Sequence, residues 1–211
     1  MRRLRLAFGR EGAVMVAPRE FDKGMTRLHE LFDELLTDIY TSFEMLETDK
    51  KNQSLRRNTV RTVFSAIEGI LNIVKDETLR ELRREPGEAS GAVSPKEMEL
   101  LTEKKMREGV ERSFYPSLAD RVKKYFLIAS RVFVLNDYSF DTSGTEFKSF
   151  EIAQNARDRL THPKNYYDIQ ITDQEMHHLV TAMLWVREGM RNLFLDRIRK
   201  ARSDLPEWAL V

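Results

Sequence analysis

Hydrophobic residues recur along this chain at steps of three and four, with polar residues between them. This spacing predicts helices, because a helix places residues three and four apart on one face. The stripe is most regular between residues 54 and 84, where its members are Val60, Val63, Phe64, Ile67, Ile70, Leu71 and Val74. Strand-like alternation of polar and apolar residues is nearly absent. The pattern therefore predicts an all-α protein.

The individual stripes and their ends predict a bundle of five to six helices. Three starts carry helix-capping sequences, at Ser94-Pro95-Lys96-Glu97, at Ser117 with Asp120, and at Thr172 with Glu175. We expect a loop at residues 85–91 and a polar connection at residues 137–144. The predicted helical segments are residues 19–48, 54–84, 94–111, 116–136, 145–161 and 172–203.

The helical pattern also divides the chain. We expect a flexible arm at residues 1–17, a helical domain at residues 18–203 and a short tail at residues 204–211, in which Trp208 could dock on the bundle or on a partner. The first residues are basic, but no apolar region of signal-peptide type follows them.

Composition narrows the possible functions. The net charge is +1, so the protein is not coated in cations and any contact with RNA is expected to be local. The chain has no cysteine, which excludes disulfides, thiol nucleophiles and cysteine-rich zinc sites and is compatible with the cytoplasmic location that we expect. No apolar run approaches the roughly 18 residues of a membrane span.

The candidate chemistry lies in Arg157-Asp158-Arg159-Leu160-Thr161-His162, at the end of a predicted helix that Pro163 cannot extend. Histidine can carry a proton near neutral pH. Arginine can grip a phosphate through forked hydrogen bonds. An arginine five positions before a histidine arises by chance in roughly four of ten chains of this composition. The proportion falls to roughly one in twenty when Asp, Asn or His must directly follow the arginine.

These residue types match the requirements of RNA cleavage without a metal. His162 could act as base or acid, and Arg157 could stabilise the negative charge that develops on phosphorus. Asp158 could orient a side chain or tune His162. We also expect RNA-positioning roles for Arg159 and Lys164, which lie beside these residues in the sequence, and for Arg61 of the second helix. Arg61 belongs to a polar row with Ser65, Glu68 and Asn72 that could flank a cleft or simply face solvent.

A single histidine cannot be base and acid at once in a concerted cut. A two-fold dimer would solve this, because its interface sets the same patch of each subunit opposite itself. A homodimer is therefore expected from chemical need.

The segment from Arg157 to His162 resembles the motif of HEPN (higher eukaryotes and prokaryotes nucleotide-binding) domains. In that motif an arginine is followed by a polar residue, three further positions and a histidine. The stretch from Arg56 to Gly69 also resembles the core helix of bacterial HEPN-like proteins. The likeness spans about residues 20–203 and implies a dimeric, metal-independent endoribonuclease of toxin–antitoxin, abortive-infection or RNA-processing systems, with RNA and an antitoxin protein as partners. It assigns catalysis to Arg157 and His162, with Asp158 as modulator. One toxin subgroup carries tyrosine two places after the histidine, where this chain has Lys164.

Several alternatives remain open at this point. The chain could be a HEPN-like module that binds RNA, nucleotide or protein without cutting, or a purely structural bundle subunit. Arg157 and His162 could simply cap the end of their helix. Glu175 and His178 have the spacing used in di-iron bundles, but that chemistry needs the motif twice. We therefore expect no metal and no cofactor.

Overall fold

Regular apolar stripes and strong helix caps give six α-helices in the computed structural model, which describes residues 19–84, 91–107 and 110–203. The all-α prediction is confirmed. The predicted arm at 1–17, the tail at 204–211 and most of the loop at 85–91 lie outside the described residues. The helices are α1 (Arg19–Thr48), α2 (Gln53–Arg84), α3 (Pro95–Thr102), α4 (Leu118–Val132), α5 (Thr145–Thr161) and α6 (Asp173–Ser203).

Helix α2 lies at the centre of the bundle and contacts α1, α4, α5 and α6. Every residue of its predicted stripe is buried, and α4 and α5 also bury an apolar face against the core. The largest buried side chains are aromatic, and such side chains dominate the energetics of a core. Four of them are almost fully shielded from solvent, namely Phe64, Tyr125, Phe126 and Phe150. Within the described residues no helix combines the length and the apolar character that crossing a membrane requires.

Contacts at the two ends of α2 give the directions of its neighbours. At its start, Arg56 pairs with Asp173 of α6. At its other end, Glu77 pairs with Arg197 of α6, so α2 and α6 are parallel. Helix α5 is antiparallel to α2. The connection that follows the C-terminal end of α5 lies at the start of α2. The end of α5 and the beginnings of α2 and α6 therefore lie together, and they frame the candidate site.

The predicted helix at 94–111 is wrong beyond residue 102. Its start is as expected, since the Ser94 hydroxyl and the Glu97 side chain form both halves of the capping box. Glu103 then adopts a left-handed conformation with φ 55°. The chain continues as an antiparallel hairpin of β1 (Lys104–Arg107) and β2 (Val110–Ser113). The physical reason is that this stretch is highly charged and has no apolar stripe to pack, while Lys104 and Glu111 form a cross-strand ion pair at 2.7 Å.

Helix α4 also ends earlier than residue 136. Val134 has φ 55°, a conformation that is strained for a β-branched residue. The turn lets the Leu135 amide donate to the Ser130 carbonyl at 2.8 Å. Leu135 is thereby directed into the core, where it is buried. Burial of this side chain offsets the strain at Val134.

Close packing of the Phe140 ring depends on Gly189 in α6. The ring stacks on Trp185 with centroids 4.4 Å apart and approaches Phe126 at 4.5 Å. A Cβ atom at position 189 would lie 2.4 Å from the Phe140 ring. No side chain larger than hydrogen fits there without a shift of the aromatic cluster.

Gly189→Ala should therefore lower the free energy of unfolding by about 1–3 kcal/mol, the usual cost of overpacking a core. Urea denaturation followed by circular dichroism would measure it. Gly91→Ala is the control, because a Cβ there meets nothing within 4 Å, and it should change stability by less than about 0.5 kcal/mol. Equal effects of the two substitutions would contradict the packing argument.

Candidate functional site

His162 closes the last turn of α5. Its backbone leaves the helix with φ −131° and ψ 61°, and its amide still donates to the Asp158 carbonyl at 3.1 Å. The side chain is exposed. Among the described residues it has no hydrogen bond or ion pair. The imidazole is therefore accessible to a ligand from solution.

Arg157 is held by two carboxylates. Its guanidinium pairs with Glu68 of α2 at 2.7 Å and with Asp158 at 3.1 Å. About a third of the Arg157 side chain remains exposed. These contacts use two of the five N–H groups of a guanidinium, so three remain for a phosphate. Glu68 fixes the direction of the guanidinium and also offsets its charge.

The Asp158 side chain is positioned for one of its two expected roles, the orientation of another side chain, and not for direct contact with the His162 ring. Its side chain accepts from Arg157 rather than from His162. It can therefore orient the guanidinium. Its only described link to His162 is through its backbone carbonyl.

The helix-capping alternative for these residues predicts bonds from their side chains to the last carbonyls of α5. In the described part of the chain the Arg157 guanidinium bonds carboxylates instead, and the His162 ring bonds none of these carbonyls. The turn is closed by backbone bonds and by the Thr161 hydroxyl, which donates to the Arg157 carbonyl at 3.0 Å. Neither side chain therefore makes the bonds to terminal carbonyls that the capping alternative predicts.

Arg159 connects α5 to the start of α6. It pairs with Glu175 at 2.7 Å, and Glu175 also accepts from the amide and hydroxyl of Thr172. Burial raises the pKa of Glu175, but the bonds from Thr172 and Arg159 outweigh this, so the pKa lies below its usual range. The stability from this carboxylate is present above its unfolded-state pKa and is lost as the pH falls through the folded-state value. The ion pair gives Arg159 a structural task beside its predicted role in RNA positioning.

The other two predicted RNA-positioning residues are exposed. Neither Lys164 nor Arg61 has a side-chain ion pair with another described residue. Arg61 lies on the same face of α2 as Glu68, two turns or about 10 Å nearer the helix start. Since α5 is antiparallel to α2, this displacement runs from Arg157 towards His162. The structure thus brings Arg61 to the same side of the bundle as the α5 motif.

The connection from residue 162 to residue 172, here called the site loop, is held by the start of α2. Gln53 exchanges two hydrogen bonds with the backbone of Ile171, at 2.8 and 3.1 Å. Arg56 donates to the Ile171 carbonyl at 2.8 Å and pairs with Asp173. Sequence reasoning missed these anchors. The signal available in the sequence was the pair of polar residues Gln53 and Arg56 at the start of an apolar stripe.

Within the site loop, residues 166–169 form a 3-10 turn with its own capping box. Asn165 accepts from the amides of Tyr167 and Asp168, at 2.8 and 3.2 Å. Asp168 in return accepts from the amides of Lys164 and Asn165, at 2.7 and 3.2 Å. These local bonds and the α2 anchors give the loop a defined conformation.

The Glu175 and His178 pair is used in packing. Glu175 serves the cap of α6, and His178 Nδ1 lies 3.1 Å from the hydroxyl of the buried Ser149. In the described parts of the chain no three histidine, aspartate or glutamate residues are grouped so as to hold a metal ion.

No family model, curated protein or solved structure matches this chain. The HEPN resemblance therefore remains a prediction that rests on the residues themselves.

If the chain has the ribonuclease activity that its motif predicts, replacement of Glu68 by glutamine should lower the KM for RNA by about two- to five-fold at low salt. The change removes one negative charge beside Arg157, and a partly exposed ion pair is worth about 1 kcal/mol. The gain should shrink between about 50 and 200 mM salt, because counterions screen phosphate contacts. Initial rates of RNA cleavage at the two salt concentrations would measure it.

Glu111→Gln is a matched control, because Glu111 also forms an exposed ion pair but lies in the hairpin. It should leave the KM unchanged. A higher KM in Glu68→Gln alone would mean that orientation of Arg157 by Glu68 outweighs the charge effect.

Proposed function

We propose that this chain is a HEPN-like endoribonuclease that acts as a homodimer and cuts RNA without a metal ion. The proposal rests on the arrangement of the Arg157 and His162 side chains at the C-terminal end of α5. There Glu68 holds the Arg157 guanidinium with N–H groups to spare, and the His162 ring is exposed without a described partner. A cation that binds phosphate and an accessible proton carrier are the two groups this reaction needs.

The reaction follows from these groups. One His162 accepts the proton of a ribose 2′-hydroxyl, whose oxygen attacks the adjacent phosphorus. His162 of the partner subunit protonates the departing 5′-oxygen, and Arg157 stabilises the charge on the phosphorane. The bond from phosphorus to the 5′-oxygen breaks as the bond to the 2′-oxygen forms. The products are a 2′,3′-cyclic phosphate and a 5′-hydroxyl.

A toxin or phage-defence effector is the biological role that fits such an activity, with an antitoxin protein as its partner. A cell must keep a ribonuclease with an exposed, preformed site in check, and a partner protein that covers the site would do so. Expression of the full chain should therefore arrest growth, and His162→Ala should relieve the arrest.

The purified full chain should cut single-stranded RNA in the presence of EDTA and leave 2′,3′-cyclic phosphate ends. Light scattering should find a dimer at micromolar concentration. Cleavage that needs a divalent cation, or products with 3′-hydroxyl ends, would overturn the mechanism. RNA binding without any cleavage would favour a non-catalytic RNA-binding module, and a lack of affinity for RNA would favour a structural subunit.

A further inference from the structure

Two tyrosines of the site loop project into solvent directly after the candidate catalytic histidine. Tyr166 is 68% exposed and Tyr167 is 80% exposed. Their rings lie edge to face with centroids 5.9 Å apart. Large aromatic side chains gain free energy from burial, and their exposure four and five positions after His162 marks a surface suited to a flat, apolar ligand.

The tyrosines are held on a structured turn. The capping box of Asn165 and Asp168 fixes the backbone of both tyrosines. Gln53 bonds Ile171, two residues after the end of the turn, and so fixes the loop there. A ligand that binds to a preorganised loop loses less free energy to the ordering of that loop.

The charge around the turn favours a polyanion. Arg57 of α2 donates to the Ile169 carbonyl at 3.3 Å, which places its guanidinium at this turn. Among the described residues neither the Arg57 nor the Lys164 side chain has a carboxylate partner. The carboxylate of the turn, Asp168, accepts from the backbone amides of Lys164 and Asn165. The neighbouring Arg56 and Arg159 are by contrast neutralised by Asp173 and Glu175. The turn that carries the two exposed rings therefore has the Arg57 guanidinium at its end and Lys164 two positions before Tyr166, and neither side chain is held in an ion pair with a described residue.

We propose that Tyr166 and Tyr167 bind an unpaired nucleobase by stacking, with Arg57 and Lys164 on the adjacent phosphates. The proposal rests on the proposed ribonuclease function and specifies its substrate as single-stranded RNA. A base in a duplex is covered on both faces by its neighbours, whereas an unpaired base offers its face to an aromatic ring. The stacked base would position the strand so that a phosphate close to it reaches His162.

The test measures binding separately from cleavage. A short single-stranded oligonucleotide with 2′-deoxy sugars lacks the attacking 2′-hydroxyl, so it cannot form the cyclic phosphate and cannot be cut by this route. With 2-aminopurine as one base, stacking changes its fluorescence and gives the Kd. Tyr166→Ala/Tyr167→Ala should raise the Kd by about 5- to 100-fold, the range expected for loss of base stacking.

Two controls isolate stacking. Tyr166→Phe/Tyr167→Phe keeps both rings and should retain wild-type affinity. Tyr115→Ala removes a tyrosine that is 84% exposed outside the site loop and should have no effect. Duplex RNA should be bound no better by wild type than by the double alanine variant.

The outcomes separate this proposal from the ribonuclease itself. If wild type cuts RNA and the double alanine variant retains its Kd and kcat/KM, the stacking site is refuted while the nuclease stands. If wild type binds the deoxy strand through the tyrosines but never cuts RNA, the base site stands and the nuclease fails. Conversion of a dimer to a monomer by the double alanine substitution would overturn the base site, because the rings would then contact a second copy of this chain.

Discussion

Replacement of His162 by alanine should slow the proposed RNA cleavage by at least about 100-fold while the helical content stays unchanged. A positioned acid or base contributes about 100- to 10,000-fold to the rate. Because both proton transfers are assigned to copies of the same residue, the substitution removes both at once. The exposed position of the ring means that its loss leaves no cavity in the core. Initial rates with labelled single-stranded RNA, together with circular dichroism, measure the two quantities.

Arg157→Ala should cause a loss of similar size, and Arg157→Lys should recover only part of it, because an ammonium keeps the charge but lacks the planar fork. His177→Ala and Arg199→Ala are matched controls at exposed positions of α6. Both should cut at wild-type rates. Wild-type activity of the His162 and Arg157 variants would remove the motif from the mechanism.

The proposed dimer predicts how activity depends on the proportion of His162→Ala subunits in a mixture. When wild-type and His162→Ala subunits are mixed and allowed to exchange, only a dimer with two intact histidines can transfer both protons. Activity should then fall with the square of the wild-type fraction. A linear fall would show that each subunit cuts alone.

The largest effect on stability is expected at Arg197, in the second half of α6. Its guanidinium pairs with Glu77 at 3.1 Å and with Glu81 at 3.0 Å, and it lies 4.2 Å from the Phe133 ring centre. The Glu77 side chain is only 5% exposed. Glu77 also pairs with Arg80 at 2.5 Å, but the Arg80 side chain is 61% exposed. Arg197→Met should lower the free energy of unfolding by about 3 kcal/mol, the low end of the cost of breaking a buried pair, because only the exposed Arg80 then remains beside the buried carboxylate.

Guanidinium chloride denaturation followed by tryptophan fluorescence would measure the change. Arg199→Met is the control, since Arg199 is 75% exposed and pairs only with Asp196 among the described residues. It should cost less than about 1 kcal/mol. The double variant Glu77→Leu/Arg197→Met should be more stable than Arg197→Met alone, because it removes the buried carboxylate as well. Equal stability of Arg197→Met and Arg199→Met would contradict this account.

The sequence predicted most helices because local signals agree with the fold. The stripe of α2 is apolar wherever it meets a neighbour, and Ser94, Ser117 and Thr172 begin helices where their capping bonds predict. The hairpin after α3 was missed because its strands are short, charged and exposed. Such strands give no alternation of apolar and polar residues to recognise.

The candidate site was predictable only in its local part. Arg157 and His162 stand on one helix end, and helix geometry with Pro163 was enough to locate them. Their environment depends on contacts between distant segments. Glu68 lies 89 positions before Arg157. Its position in the polar row of α2 was visible in the sequence, but nothing local indicates that it faces α5 or that Arg159 is engaged by Glu175.

The bonds from Gln53 and Arg56 to Ile171 have a consequence for the recognition of relatives. They span 118 and 115 positions of the chain, so the geometry of the site loop is encoded in two separate places. A short peptide that contains the hexapeptide would carry the reactive groups without the means to fix their surroundings. A useful search signature therefore has two parts, with glutamine and arginine three positions apart at the start of a long helix and the arginine and histidine motif more than a hundred positions later. A chain with only the second part must fix its loop by other means, and its activity cannot be inferred from the motif alone.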